Sequence, residues 1–239
     1  MKYLLSLLTF IILSTSTSLW AQTPDRSQLQ DKIRALRSEL KSYEDQLLSP
    51  SPADVEADAN FLGRPQSRLI RLLPREIFDK PERMTVRGGG AYYSFKRLTH
   101  EYGYGSDIEL HQDEFSVGFA GANYGMITVL DAATIESVTM DHPVARYLAA
   151  HKPPVKLLDA RVEQGRTREG ITSDGVFYSR RAPAIVGKTY LLRSIDYDTS
   201  DVLVCFQARR KDDDGSWILA WRVLEEYEKP TLERATEEK

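Results

Sequence analysis

Residues 189–224 read TYLLRSIDYDTSDVLVCFQARRKDDDGSWILAWRVL. Three apolar runs, 190–195, 202–208 and 217–224, are separated by acidic turns. Runs of this length, rich in Val, Leu, Ile and aromatic residues and bounded by Asp, Ser and Gly, predict strands. Both parities of the middle run are apolar, with Val202, Val204 and Phe206 on one face and Leu203 and Cys205 on the other. A strand covered on both faces sits centrally, with other layers packed above and below it. The stretch therefore predicts a three-stranded meander as the centre of the fold. Cys205 is the only cysteine, which excludes an internal disulfide and, in an apolar strand, reads as a packing residue.

Working outward toward the N-terminus, residues 88–130 are rich in glycine and tyrosine. Gly88, Gly89 and Gly90 free the backbone for a bend before a strand. A hairpin is expected over 91–111, turning at Gly103 to Gly105, with further strands near 115–119 and 126–130. That turn pairs Tyr102 with Ser106, His100 with Ile108, Thr99 with Glu109 and Arg97 with His111. His142-Pro143 opens a short helix ending before Pro153, whereas 159–170 reads as an exposed polar connection. Asp174-Gly175 is a turn, and short runs at 176–179 and 184–186 lead into the meander. The stretch 227–239 is a charged tail, expected to fray. A shared Ser-Asp strand opening, at Ser106-Asp107 and Ser200-Asp201, is compatible with an internal duplication and also with ordinary turn chemistry.

The N-terminal part is helical in pattern. Thr23-Pro24-Asp25 is a helix start, and Leu29, Ile33, Leu36, Leu40, Tyr43 and Leu47 recur at spacings of four and three. In a parallel homodimer Lys32 would meet Arg37 and Glu39 would meet Glu44, and both pairs repel. Antiparallel pairing allows Lys32 to face Glu39 and Arg37 to face Glu44, so this stripe is a candidate for self-association or for a protein partner. Ser51-Pro52 caps a second helix that Gly63 closes. The organisation expected is a signal peptide over 1–21, a helical arm over 22–63, a mainly β domain over 64–226 and the tail. The fold class is α+β: a helical arm, then a mainly antiparallel β-domain with one or two short helices.

Residues 1–21 carry Lys2, an apolar core over 4–13 and Leu19-Trp20-Ala21, the pattern of a secretory signal peptide cut near Ala21. The mature chain is expected to be periplasmic or extracellular, with no transmembrane span. A net charge of −3 gives no global bias toward nucleic acid.

Basic residues concentrate over 64–97, where Arg64, Arg68, Arg71 and Arg75 would share one face of a short helix. Such a face could bind anions or touch the envelope peripherally; the alternative is a solvated face paired with the acids after it. Asp107, Glu109, His111 and Asp113 alternate on one strand face, but the register above leaves His100 on the opposite side, so no metal set forms and the face reads as solvated. Asp196, Asp198 and Asp201, like Asp212 to Asp214, lack the calcium-loop spacing. No nucleotide loop, nucleophile elbow or zinc-protease motif is present. No catalytic residue, metal or cofactor is assigned. The aromatic residues among glycines leave Tyr102, Tyr104, Asn123 and Tyr124 as candidate ligand-binding residues.

The runs VRGGGAYYSF, HEYGYGSDIEL, VGFAGANYG and SDVLVCFQARRKDDDGSWILAW together resemble a group of uncharacterised exported bacterial proteins. The resemblance covers roughly 64–224 and omits the arm, and it implies export without implying an activity, ligand or catalytic residue. The functional expectation is a non-enzymatic partner- or ligand-binding protein of the envelope or exterior. The alternatives are a cell-envelope hydrolase and attachment to an anionic surface through 64–97.

Overall fold

The computed structural model describes residues 25–233 apart from Glu101, Tyr104 and Ala132. The expected signal peptide, its cut site and candidate Tyr104 lie outside the described residues. In order the chain forms α1 (Arg26–Leu48), α2 (Pro52–Ala57), α3 (Ala59–Leu62), β1 (Ser67–Leu72), α4 (Arg75–Phe78), β2 (Tyr92–Tyr93), β3 (Ile108–His111), β4 (Glu114–Ser116) and β5 (Tyr124–Leu130). Then come α5 (Pro143–Ala150), α6 (Leu157–Glu169), β6 (Ile171–Ser173), β7 (Val176–Tyr178), β8 (Arg181–Pro183), β9 (Thr189–Asp196), β10 (Ser200–Lys211) and β11 (Trp217–Tyr227). One unit ends at Lys41 and contains most of α1; the other begins at Ser42, so α2 and α3 belong with the β-domain. Among the described residues, no helix is long and apolar enough to cross a membrane.

The meander is the centre of the second unit. A five-stranded antiparallel sheet runs β1-β11-β10-β9-β5, and β10 pairs Cys205 with both Leu191 and Arg222. One face, carrying Tyr190, Leu192, Val204, Phe206 and Trp221, packs against Tyr93, Phe95, Ile108, Leu110 and Phe115. Those residues belong to or adjoin a second sheet, β2-β3-β4-β8. The other face, with Leu191, Leu203, Cys205 and Ala220, is covered by Phe61 of α3 and by Val144, Ala145 and Leu148 of α5. The two apolar parities of 202–206 thus serve two different layers. Burial pushes the Cys205 thiol up to about 12, so it packs as an inert neutral group.

The helices follow their end signals. Ser51 and Asp54 form a reciprocal capping box with Pro52 in the first turn. His142 caps α5 through a ring nitrogen that accepts from the Val144 N–H. A bulge in β10 near Arg209 interrupts the strand's alternation and lets adjacent arginines hold neighbouring elements. Arg209 pairs with Asp58 at 2.8 Å and Arg210 with Asp54 at 2.9 Å, which docks α2 onto the sheet.

Four sequence expectations change. Residues 67–72 are strand β1, with Leu69 opposite Ala220, and not a helix. The sheet's apolar edge captures the Leu-Ile-Arg-Leu run before a helix bounded by two prolines can form. The exposed connection over 159–170 is helix α6, with Asp159 in its first turn, Arg166 and Arg168 in its last, and Gly170 at φ +95° ending it. The hairpin register also differs. Tyr92 pairs with Glu109 and Tyr93 with Ile108, while Ser94 turns back onto Thr99, so neither Arg97–His111 nor Thr99–Glu109 is a pair. Finally, strand β11 continues to Tyr227, and Glu233 donates its N–H to the Val155 carbonyl at 2.7 Å, so the start of the tail is docked.

Candidate functional site

Two residues of the acidic strand face expected to be solvated, Glu109 and His111, line a cavity. Asp107 is fully buried, and Glu109 is only 6% exposed. Asp107 accepts the Phe95 N–H at 2.8 Å. Glu109 receives three donors: the Tyr92 hydroxyl at 2.7 Å, the Ser116 hydroxyl at 2.7 Å and the Arg75 guanidinium at 2.9 Å. His111, at the end of β3, lines the same cavity, while His100 donates to the Arg71 carbonyl at 2.8 Å on β1.

The cavity has a volume of about 510 Å³ and draws its walls from both ends of the second sheet. α4 contributes Arg75; the 84–88 segment contributes Met84, Arg87 and Gly88; Phe119 follows β4; and Arg180 and Arg181 lead into β8. Three successive left-handed glycines make this wall possible. A side chain on Gly88 would come within 2.7 Å of the Tyr92 ring and 2.8 Å of Tyr102, and one on Gly89 would collide with the backbone at Phe78. Tyr102 lies 4.6 Å from Tyr92, Phe119 meets Tyr92 edge-on at 5.3 Å, and the Arg87 guanidinium sits 5.3 Å from the Tyr102 ring.

Four arginines face two carboxylates here, Asp79 and Glu109. Arg75 is engaged by both carboxylates, at 3.4 and 2.9 Å. Burial opposes its charge, but Tyr92 and Glu109 together hold its pKa above the ordinary value. Arg181 reaches Glu114 only at 3.7 Å. Arg87 and Arg180 make no ion pair with a described carboxylate. Arg180 is half-buried; its Nε donates to the Val117 carbonyl at 3.0 Å and its backbone N–H to the Thr167 carbonyl at 2.6 Å. Burial, and then the charges of Arg181 and Arg168, lower its pKa. Burial and the hydrogen bond to Glu109 raise the Tyr92 phenol, which stays a neutral donor. Both Glu109 oxygens are occupied, by three donors in all. The arrangement offers guanidinium donors and ring faces, the requirements for holding an anion.

The sequence candidates divide between this cavity and the rest of the domain. Tyr102 and Arg75 line it. Asn123 and Tyr124 are buried elsewhere: Asn123 Oδ1 accepts the Tyr197 N–H at 3.0 Å, and the Tyr124 hydroxyl meets His151 Nε2 at 2.7 Å. These two residues are not in the Tyr102 site. The four arginines likewise form no common face. Arg64 is exposed after α3, Arg68 is exposed on β1, and Arg71 pairs with Asp212. In a strand Arg68 and Arg71 point to opposite sides. Sequence reading missed Arg180 and Arg181, whose one signal was the Arg-Arg doublet between Ser179 and Ala182 at the start of a short strand, and it took Arg87 only as one of the basic residues of 64–97.

A second polar cluster lies at the end of the sandwich core. Asp196 and Asp201 are buried with Asp107. Burial raises Asp107 to about 6, while burial and then the charge of Asp107 raise Asp196 to about 8. One Asp196 oxygen has no hydrogen-bond partner among the described residues. Asp201 instead pairs with Arg193. Among the described residues, no three His, Cys, Asp or Glu side chains converge as a metal set. The two Ser-Asp openings lead into strands of different sheets with different neighbours. Compared with protein-family models, with curated proteins and with solved structures, the chain matches none.

Proposed function

We propose that this is an exported, non-enzymatic binding protein whose β-domain holds a small organic anion in the arginine–tyrosine cavity, while the helical arm serves assembly. One observation carries the reading. The half-buried Arg180 guanidinium lines a 510 Å³ cavity without an ion pair to any described carboxylate, and the exposed Arg87 guanidinium, likewise without one, stands at the same cavity. A desolvated cation is costly unless a counter-charge arrives, and a ligand carboxylate or phosphate would supply it. The fitting ligand places its acid group between Arg180 and Arg181 and a ring against Tyr102 and Phe119. The cavity size is within the range for small-molecule sites, about 300–1,000 Å³. Export is supported by the pattern of residues 1–21, and contact with the envelope would be peripheral.

The test is native mass spectrometry on protein taken gently from its host's envelope or medium, followed by titration with glucuronate, glucose and inorganic phosphate. An organic adduct is expected. Glucuronate should bind more tightly than glucose, and Arg180→Gln should weaken that binding about tenfold or more, the loss of one charge-assisted contact. A bare mass together with no response to either anion sinks the reading.

A further inference from the structure

The outer turns of α1 carry an exposed apolar stripe. Leu29 is 42% exposed, Ile33 48%, Leu36 54% and Leu40 48%, at the four-and-three spacing of a coiled-coil seam. We infer that this stripe pairs with the same stripe of a second copy, antiparallel, in the register that sets Leu29 against the second copy's Leu40 and Ile33 against its Leu36.

Charge selects this occupant and this register. In a parallel pair, Lys32 meets Arg37 and Glu39 meets Glu44, and both repel. Antiparallel pairing has three registers that build at least four apolar layers, and the two attractive pairs of the sequence belong to different ones. The register inferred here brings Lys32 to the second copy's Glu39 twice by symmetry, and sets Gln30 beside Arg37 without repulsion. Sliding by one heptad adds layers, with Leu29 on Leu47 and Ile33 on Tyr43, but it forces Arg37 onto Arg37 and Glu39 onto Glu39. A further heptad places Arg37 on Glu44 but requires Leu47, which already packs on the cluster of Leu48, Leu73 and Val86. Only the first register is both charge-matched and built from unengaged apolar residues. The stripe is complementary to itself, so a second copy satisfies it without another protein. Two-fold symmetry closes the assembly at a dimer. The seam is short, so association is weak and concentration-dependent. This inference stands whether or not the arginine cavity binds an anion.

The test uses protein expressed from the full 239-residue sequence and purified as the cell delivers it. Sedimentation velocity over a concentration series should show a monomer–dimer equilibrium. Lys32→Glu should weaken it about tenfold, since two attractive contacts become repulsive, and Lys32→Glu with Glu39→Lys should restore it. Oxidative cross-linking reads the register directly, because Cys205 is buried. A Leu29→Cys chain should cross-link when mixed with a Leu40→Cys chain, and neither should link efficiently to itself. A monomer at every concentration, an unaffected Lys32→Glu dimer, or efficient self-linking of the Leu29→Cys chain would each overturn the inference.

Discussion

Two arginines in the same domain are treated in opposite ways. Arg193 is 2% exposed, and every direction around it is filled. It makes two parallel bonds to Asp201, at 2.9 and 2.8 Å, donates to the His151 carbonyl at 2.7 Å, and lies 4.1 Å from the Tyr227 ring. The Leu148 carbonyl accepts from it as well, so the guanidinium ties the C-terminal end of α5 to β9 and β10. Arg180 has one carbonyl, a neighbouring arginine and a cavity. The first charge holds the fold together. The second is carried by the fold without being needed for it, and that difference separates a structural cation from a binding one.

Breaking the Arg193 clamp should have the largest effect. Arg193→Met leaves Asp201 buried without its counter-ion and should destabilise by about 3–5 kcal/mol in urea denaturation. Arg193→Met with Asp201→Leu should recover much of that loss, because the buried charge goes with its partner. A single-variant cost under about 1 kcal/mol would remove the contrast on which the comparison rests.

Asp196 and Asp107 supply a second, smaller test: carboxylates that the fold buries without a matched cation. Their folded pKa values, about 8 and about 6, lie above the ordinary 3.8. The folded chain therefore keeps protons that the unfolded chain releases. Their contribution is fully present below about pH 4 and is lost as pH rises through 6 and 8. Asp196→Asn mimics the protonated form, so the variant should gain about 1–3 kcal/mol over wild type between pH 5 and 8. Parallel stability curves for the two proteins would show that Asp196 ionises normally in the fold.

The contrast also explains what could be read in advance. The meander was legible because both parities of 202–206 are apolar and its turns carry Asp and Gly. The capping box at Ser51 and Asp54 was legible because a cap is a local contact between residues three apart. The cavity was not. Its walls come from Arg75, Tyr102, Glu109 and Arg180, which are joined only by the second sheet, and that sheet's short strands carry little periodic signal. One error in hairpin register moved Glu109 from a buried floor to an imagined solvated face. Arg193 was hidden for another reason: one charged residue inside an apolar strand does not name its partner, and Asp201 drew attention first as a calcium candidate.

Glu109 tests the cavity from its acidic side. Glu109→Gln keeps the shape and removes a charge that accepts from Tyr92, Ser116 and Arg75. A stability loss of about 1–2 kcal/mol is expected, since these bonds weaken without disappearing. Anion affinity should rise, because Arg75 is freed from one of its two carboxylates. If glucuronate binding falls instead, Glu109 is positioning the site and its charge is not competing with the ligand.

The smallest expected change in stability is the most discriminating. Arg180→Gln gives up one bond to the Val117 carbonyl and relieves repulsion from Arg181 and Arg168. These effects oppose each other, so thermal or urea unfolding without ligand should move by no more than about 0.5 kcal/mol in either direction. In saturating glucuronate the wild type should be stabilised and the variant should not, because a ligand raises stability only through the affinity it has for the folded form. A large loss without ligand would put Arg180 in the same class as Arg193, a guanidinium that the fold requires. A small loss combined with absent ligand stabilisation leaves the charge with no role except meeting an anion.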